Sequence, residues 1–114
     1  MKRKLLLFLL SICFFLPDFA ATGQYNFIRV DGGSGLSNSH VKSIIQDSYG
    51  FIWLGTSDGL NRYDGRGNKV YRNVLNDKFS LENNFVEALI EVDKNIWVGT
   101  NSGLYIYDRD TDRF

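Results

Sequence analysis

The string DRDTD, residues 108–112, sets Asp108, Asp110 and Asp112 at alternate positions, a spacing at which carboxylates can converge on calcium. The glycine and the terminal glutamate of the usual calcium loop are missing, so a solvated turn is the better reading. Asp31-Gly32-Gly33-Ser34-Gly35 is rich in glycine but lacks the Gly-Lys-Ser/Thr ending of a phosphate cradle, and reads as a flexible connector. His40 is the only histidine and Cys13 the only cysteine, too few for the usual zinc ligand set, so neither metal nor cofactor is expected. Binding chemistry remains. Tyr49, Arg62 and Tyr105 offer aromatic faces and a planar donor, the groups that suit a carbohydrate, and are the weak candidates for a ligand site.

Residues 1–23 stand apart. A cationic start at Lys2, Arg3 and Lys4 leads into a 12-residue apolar run, Leu5 to Leu16, and then into small residues, Ala20-Ala21-Thr22-Gly23. That order is the grammar of a secretory signal peptide, with cleavage expected after Ala21 or Gly23. The run is shorter than the ~20 residues of a bilayer span, which makes an uncleaved anchor the lesser alternative. Cys13 lies inside the run behind bulky Ile12 and is not expected to be a lipoprotein site. Without the leader, 91 residues remain; Lys and Arg fall from 13 to 10 and Asp and Glu from 13 to 12, a net charge of −2. A mildly acidic chain argues against a nucleic-acid partner.

The strongest signal is a repeat. GLSNSHVKSIIQD and SLENNFVEALIEV share Leu, Asn, Val and Ile at an offset of 45; one residue then drops out and the offset becomes 44. The signature of the first copy is Ile52, Trp53, Gly55, Thr56, Gly59, Leu60, Tyr63 and Asp64. The second copy has Ile96, Trp97, Gly99, Thr100, Gly103, Leu104, Tyr107 and Asp108. A period in the mid-forties is the spacing of four-stranded propeller blades. The expected class is therefore all-β, with four-stranded antiparallel repeats forming an incomplete propeller of about two blades.

The local pattern predicts strands over 41–46, 51–56, 60–63, 69–72 and 104–107. Gly50, Gly59 and Gly103 fall at turns. Val41, Ser43 and Ile45 should share one face, as should Val86, Ala88 and Ile90. Residues 84–92 could form a short helix by propensity, but their counterpart is richer in β-branched and polar residues, and both are read as strands. Gly55 and Gly99 should leave room for an aromatic side chain of the neighbouring blade. His40 has Phe85 as its counterpart, which suggests a packing position. The organisation is then signal peptide 1–23; N-terminal strand and connector 24–35; repeat 1 over 36–80; repeat 2, truncated, over 81–114. Tyr25 to Arg29 resembles a fourth strand that would complete a blade beyond Phe114. Repeats need neighbours to bury their faces, so the expected partners are missing blades of a longer chain, whether from a truncated gene or a split frame, or further copies in a ring.

GLSNSHVKSIIQDSYGFIWLGTSDGLNRYDG resembles the propeller repeat of the periplasmic sensor region of hybrid two-component regulators, abundant in the Bacteroidetes. Val41, Ile44, Asp47, Gly50 and the eight signature residues of the first copy fit that repeat. In the second copy Val92 replaces the Asp, with Asp93 expected to serve the turn. The resemblance runs from about Tyr25 to Phe114. It implies a non-catalytic periplasmic sensor fragment, with oligosaccharides as the ligands of full-length relatives. Those relatives carry two propellers and then a β-sandwich, a membrane helix and a cytoplasmic histidine kinase, receiver and DNA-binding module, later parts that are not read in this sequence. Their phospho-accepting histidine belongs to the cytoplasmic part, so His40 is not expected to play that role. The alternative is an exported propeller that binds protein or glycan with no kinase attached. A glycan-cleaving enzyme would need a convergent acid and base, which the sequence does not offer.

Overall fold

The computed structural model describes Lys2, Arg3 and residues 23–114. Apart from Lys2, Arg3 and Gly23, the expected signal peptide, Cys13 included, lies outside the described residues. Among the described residues no helix is long and apolar enough to cross a membrane. Two antiparallel sheets form. The first contains β1 (Val41–Gln46), β2 (Ile52–Thr56), β3 (Gly59–Tyr63) and β4 (Asn68–Tyr71), in the order of the chain. The second contains β5 (Val86–Val92), β6 (Asn95–Thr100) and β7 (Gly103–Tyr107), again in order. Residues 84–92 thus form no helix, and Val86–Val92 is strand. The second sheet follows β7 with a single bridge, Asp108 to Arg113, where the first has its fourth strand.

Several signature residues have a clear physical task. The Thr56 hydroxyl accepts from the N–H of Asp58 at 3.1 Å and donates to the Gly59 carbonyl at 2.8 Å, closing the β2–β3 hairpin. Thr100 repeats this with Ser102 and Gly103 at 3.2 and 3.1 Å. Gly59 adopts φ +116°, and a Cβ there would lie 2.9 Å from the Tyr71 carbonyl, so only glycine fits. After β3, Asp64 accepts from the N–H groups of Arg66 and Gly67, which folds the β3–β4 loop. Asp108 accepts likewise from Asp110 N–H.

The two sheets face each other. Trp53, Leu60 and Tyr71 from the first pack on Val86, Ile96, Val98 and Tyr107 from the second, with Leu81 between them. Trp53 lies 4.9 Å from Tyr107 and 5.8 Å from Tyr71, centroid to centroid.

The strand alternation differs from the simple pattern. Val41 pairs with Thr56 but Ser43 with Gly55, leaving Lys42 as an extra residue; Val86 pairs with Thr100 but Ala88 with Gly99, leaving Glu87. These are β-bulges at one repeat position. They turn Val41 and Val86 to the face opposite Ser43, Ile45, Ala88 and Ile90. Val86 is consequently fully buried while Ala88 and Ile90 are exposed.

Further corrections concern single residues. Gly55 makes room for Val86, not for an aromatic ring: an added Cβ would lie 2.6 Å from Val86 Cγ1 and 2.4 Å from Ser43 Oγ. The glycine-rich connector is ordered as a 3-10 turn, Gly32–Ser34. It is capped by Asp31 and Ser34 and ended by Gly35 at φ +84°. Tyr25, Phe27 and Ile28 join no strand of the described residues and are largely exposed. His40 is exposed, whereas Phe85 is half-buried, so the packing role is confined to the second copy.

Candidate functional site

Two polar clusters cross the seam between the sheets. The first begins at the β1–β2 turn. Asp47 accepts from Tyr49 N–H and Phe51 N–H at 3.0 and 2.9 Å through one oxygen, and from Trp53 Nε1 at 2.7 Å through the other. Arg109, from the segment after β7, donates to that second oxygen at 2.9 Å. The Arg109 guanidinium also lies 3.4 Å from Glu91 and 4.1 Å above the Tyr49 ring. Glu91 takes both the N–H and the hydroxyl of Ser48. Burial pushes the Asp47 carboxyl up, but the bonds from Trp53, Arg109, Phe51 and Tyr49 outweigh it and hold it below the ordinary carboxylate range.

Asp93 does not reproduce this arrangement. Asp93 and Lys94 have φ of 48° and 71° and form a two-residue primed turn between Val92 and Asn95. Asp93 serves the turn through its backbone, and among the described residues no side-chain bond joins it to Trp97.

The second cluster gathers around Asp112. Its carboxylate accepts from Tyr107 at 2.6 Å and Tyr71 at 2.7 Å and pairs with Lys69; Arg62 lies 3.7 Å away and donates to the Tyr107 hydroxyl at 2.9 Å. Desolvation raises the Asp112 carboxyl, and Lys69, Tyr107 and Tyr71 overcome it, leaving it at about 2. Burial above all pushes both the Tyr71 and Tyr107 hydroxyls up, followed for Tyr71 by its bonds to Tyr107 and Asp112 and for Tyr107 by its bond to Asp112. Asp112 is an exposed turn residue, as the sequence suggests, and at the same time ties the two sheets together. Among the described residues no group of three or more His, Cys, Asp or Glu side chains is placed to hold a metal ion.

The ligand candidates do not converge. Tyr49 is exposed at the β1–β2 turn beneath Arg109. Tyr105 lies toward the opposite end of its sheet, where its hydroxyl meets Ser102 and Glu82. Arg62 stacks over Phe51 and Trp53 at 5.0 and 5.7 Å, and is also committed to Tyr107. Arg62 does reach a surface cleft of about 420 Å³ that it shares with Phe51, Asp64, Gly67, Asn68 and Lys69. The cleft combines two cations, a ring and amide groups, and Asn68 Oδ1 is buried there without a hydrogen-bond partner. Sequence reasoning missed Lys69 and Asn68, because only the β3–β4 pairing of Arg62 with Lys69 brings them beside Arg62.

Antiparallel sheets with this signature, stacked face to face through Trp53 and Val86, define blades of a β-propeller. The model of the two component regulator propeller family matches residues 35–58. Histidine kinase P4 of Formosa agariphila is 46% identical over 56 residues, 49% of this chain and 4% of the kinase. The crystal structure of the extracellular domain of a hybrid two component system from B. thetaiotaomicron superposes with a TM-score of 0.68 at 33% identity, over 75% of this chain and 12% of that one. The chain thus corresponds to a small part of each relative's length. All three comparisons agree with the resemblance to the sensor region of hybrid two-component regulators.

Proposed function

We propose that this chain is a non-catalytic part of a periplasmic ligand-sensing propeller from a hybrid two-component regulator, with glycan-derived oligosaccharides as its ligand class. The observation that carries the reading is the pair of blades itself, built from the regulator repeat and superposing on an extracellular domain of a hybrid two component system. The cleft at Arg62, Lys69, Phe51 and Asn68 supports the ligand class. It sets a guanidinium, an ammonium and the Asp64 carboxylate beside an aromatic ring, groups that suit hydroxyl-rich molecules. The cationic and apolar start of the sequence supports export.

Two measurements test it. Alkaline phosphatase fused after Phe114 should be active, since that enzyme matures only outside the cytoplasm; an inactive but stable fusion would remove the periplasmic reading. Calorimetric titration with a panel of neutral and acidic oligosaccharides should give saturable binding that weakens at least ten-fold in Lys69→Ala. Saturable binding that Lys69→Ala leaves unchanged would move the ligand away from this cleft, and no binding across the panel would remove the ligand class.

A further inference from the structure

The seam between the two blades is a template for a second seam. Blade 1 contributes to it the face that bears Trp53, Gly55, Leu60 and Arg62. By register, blade 2 has the same face in Ala88, Ile90, Trp97, Gly99, Leu104 and Ile106. Among the described residues nothing packs over it: Ile90, Leu104 and Ile106 are 58%, 59% and 42% exposed. A Cβ on Gly99 would touch only Ala88 of its own sheet, at 3.5 Å or more, whereas the space at Gly55 is filled by Val86. The slot at Gly99 is open.

Blade 1 carries the other half of such a seam. Val41, Ile44, Ile52 and Tyr63 occupy the positions of Val86, Leu89, Ile96 and Tyr107, the residues with which blade 2 packs on blade 1. Val41 and Ile44 remain 40% and 62% exposed. The polar pairing is replaced in step. Where Arg62 meets Tyr107 in the existing seam, the open faces have Ile106 and Tyr63, so at that point their union buries no charge. A contiguous apolar face of this kind marks an interaction surface.

We propose that the open face of blade 2 docks the open face of blade 1 in a second copy of this chain, with that copy's Val41 seated on Gly99. The contact uses two different surfaces and is head-to-tail, so it builds a ring or an open chain of blades. It rests on the propeller-blade fold and not on the sensing reading, and oligosaccharide binding does not bear on it.

The test is light scattering on the full chain after size exclusion, over a hundred-fold range of concentration. Wild type should form assemblies that dissociate on dilution. Gly99→Leu and Val41→Lys, each blocking one face, should both be monomeric, with unchanged far-UV circular dichroism. Mixed in equal amounts, they should give a one-to-one dimer and nothing larger, because each retains the face the other lacks. If Gly99→Leu loses its fold, Ile106→Lys on the same exposed face takes its place. A monomeric wild type would overturn the proposal and leave the face to a further repeat of a longer chain. Assemblies insensitive to the variants, or a mixture that stays monomeric, would overturn it as well.

Discussion

Trp53 Nε1 and Arg109 both donate to one oxygen of Asp47, at 2.7 and 2.9 Å. A single carboxylate therefore orients the central indole of blade 1 and fastens the segment that follows blade 2. Its side chain is fully buried, and that of Arg109 nearly so. Removing one partner of such a pair strands the other, which costs about 3 kcal/mol or more. Asp47→Ala should lower unfolding stability by about that much in urea titrations, and Asp47→Asn, which keeps the shape, by about half. An Asp47→Ala protein as stable as wild type would show that Arg109 finds equal solvation elsewhere.

Gly55 and Gly99 hold the same place in the repeat but not in the packing. Gly55→Ala drives a methyl into Val86 and Ser43, and should cost about 1–3 kcal/mol. Gly99→Ala meets only ordinary contacts and should change monomer stability by less than about 0.5 kcal/mol. Thermal unfolding of the two variants side by side checks the contrast, and equal losses would contradict the packing described.

Acid should loosen the seam at Asp112. Its carboxyl is held at about 2 in the fold against an ordinary 3.8, so the charged form is the one the fold favours. The stabilisation is fully present above pH ~4 and is lost as pH falls toward 2. Because the side chain is 42% exposed, solvent screening limits the contribution to about 1 kcal/mol. Asp112→Asn should flatten the stability profile between pH 4 and 2. A profile with the wild-type slope would place the titrating group elsewhere, Asp47 first.

The hairpin threonines should differ in weight. Thr56 is fully buried and also meets Ser37 at 3.0 Å, while Thr100 is half-buried. Thr56→Val should cost about 1–2 kcal/mol and Thr100→Val less than about 1. Urea midpoints of the two variants make the comparison, and a larger loss at Thr100 would contradict it.

The blades were legible in the sequence because their signature is local. Trp53, Gly55, Thr56 and Gly59 lie within one hairpin, and the second copy writes the same residues again. The turns at Gly50, Gly59 and Gly103 were legible for the same reason. Lys42 and Glu87 were not, since a bulge depends on how a strand meets its partner, and the run of residues alone suggests unbroken alternation. The occupant of the Gly55 slot followed from that bulge and was missed with it. Asp112 and Arg109 were obscure because their partners lie 41 and 62 residues away in the chain. A string such as DRDTD gives no sign of which carboxylate turns inward.

The bulge has an architectural consequence. It lets one strand serve two interfaces, with Val86 inserted into blade 1 while Ala88 and Ile90, two and four residues on, stand on the opposite surface. One extra residue, Glu87, is the divide: the strand before it closes the contact with blade 1, and the strand after it supplies the surface for the next neighbour.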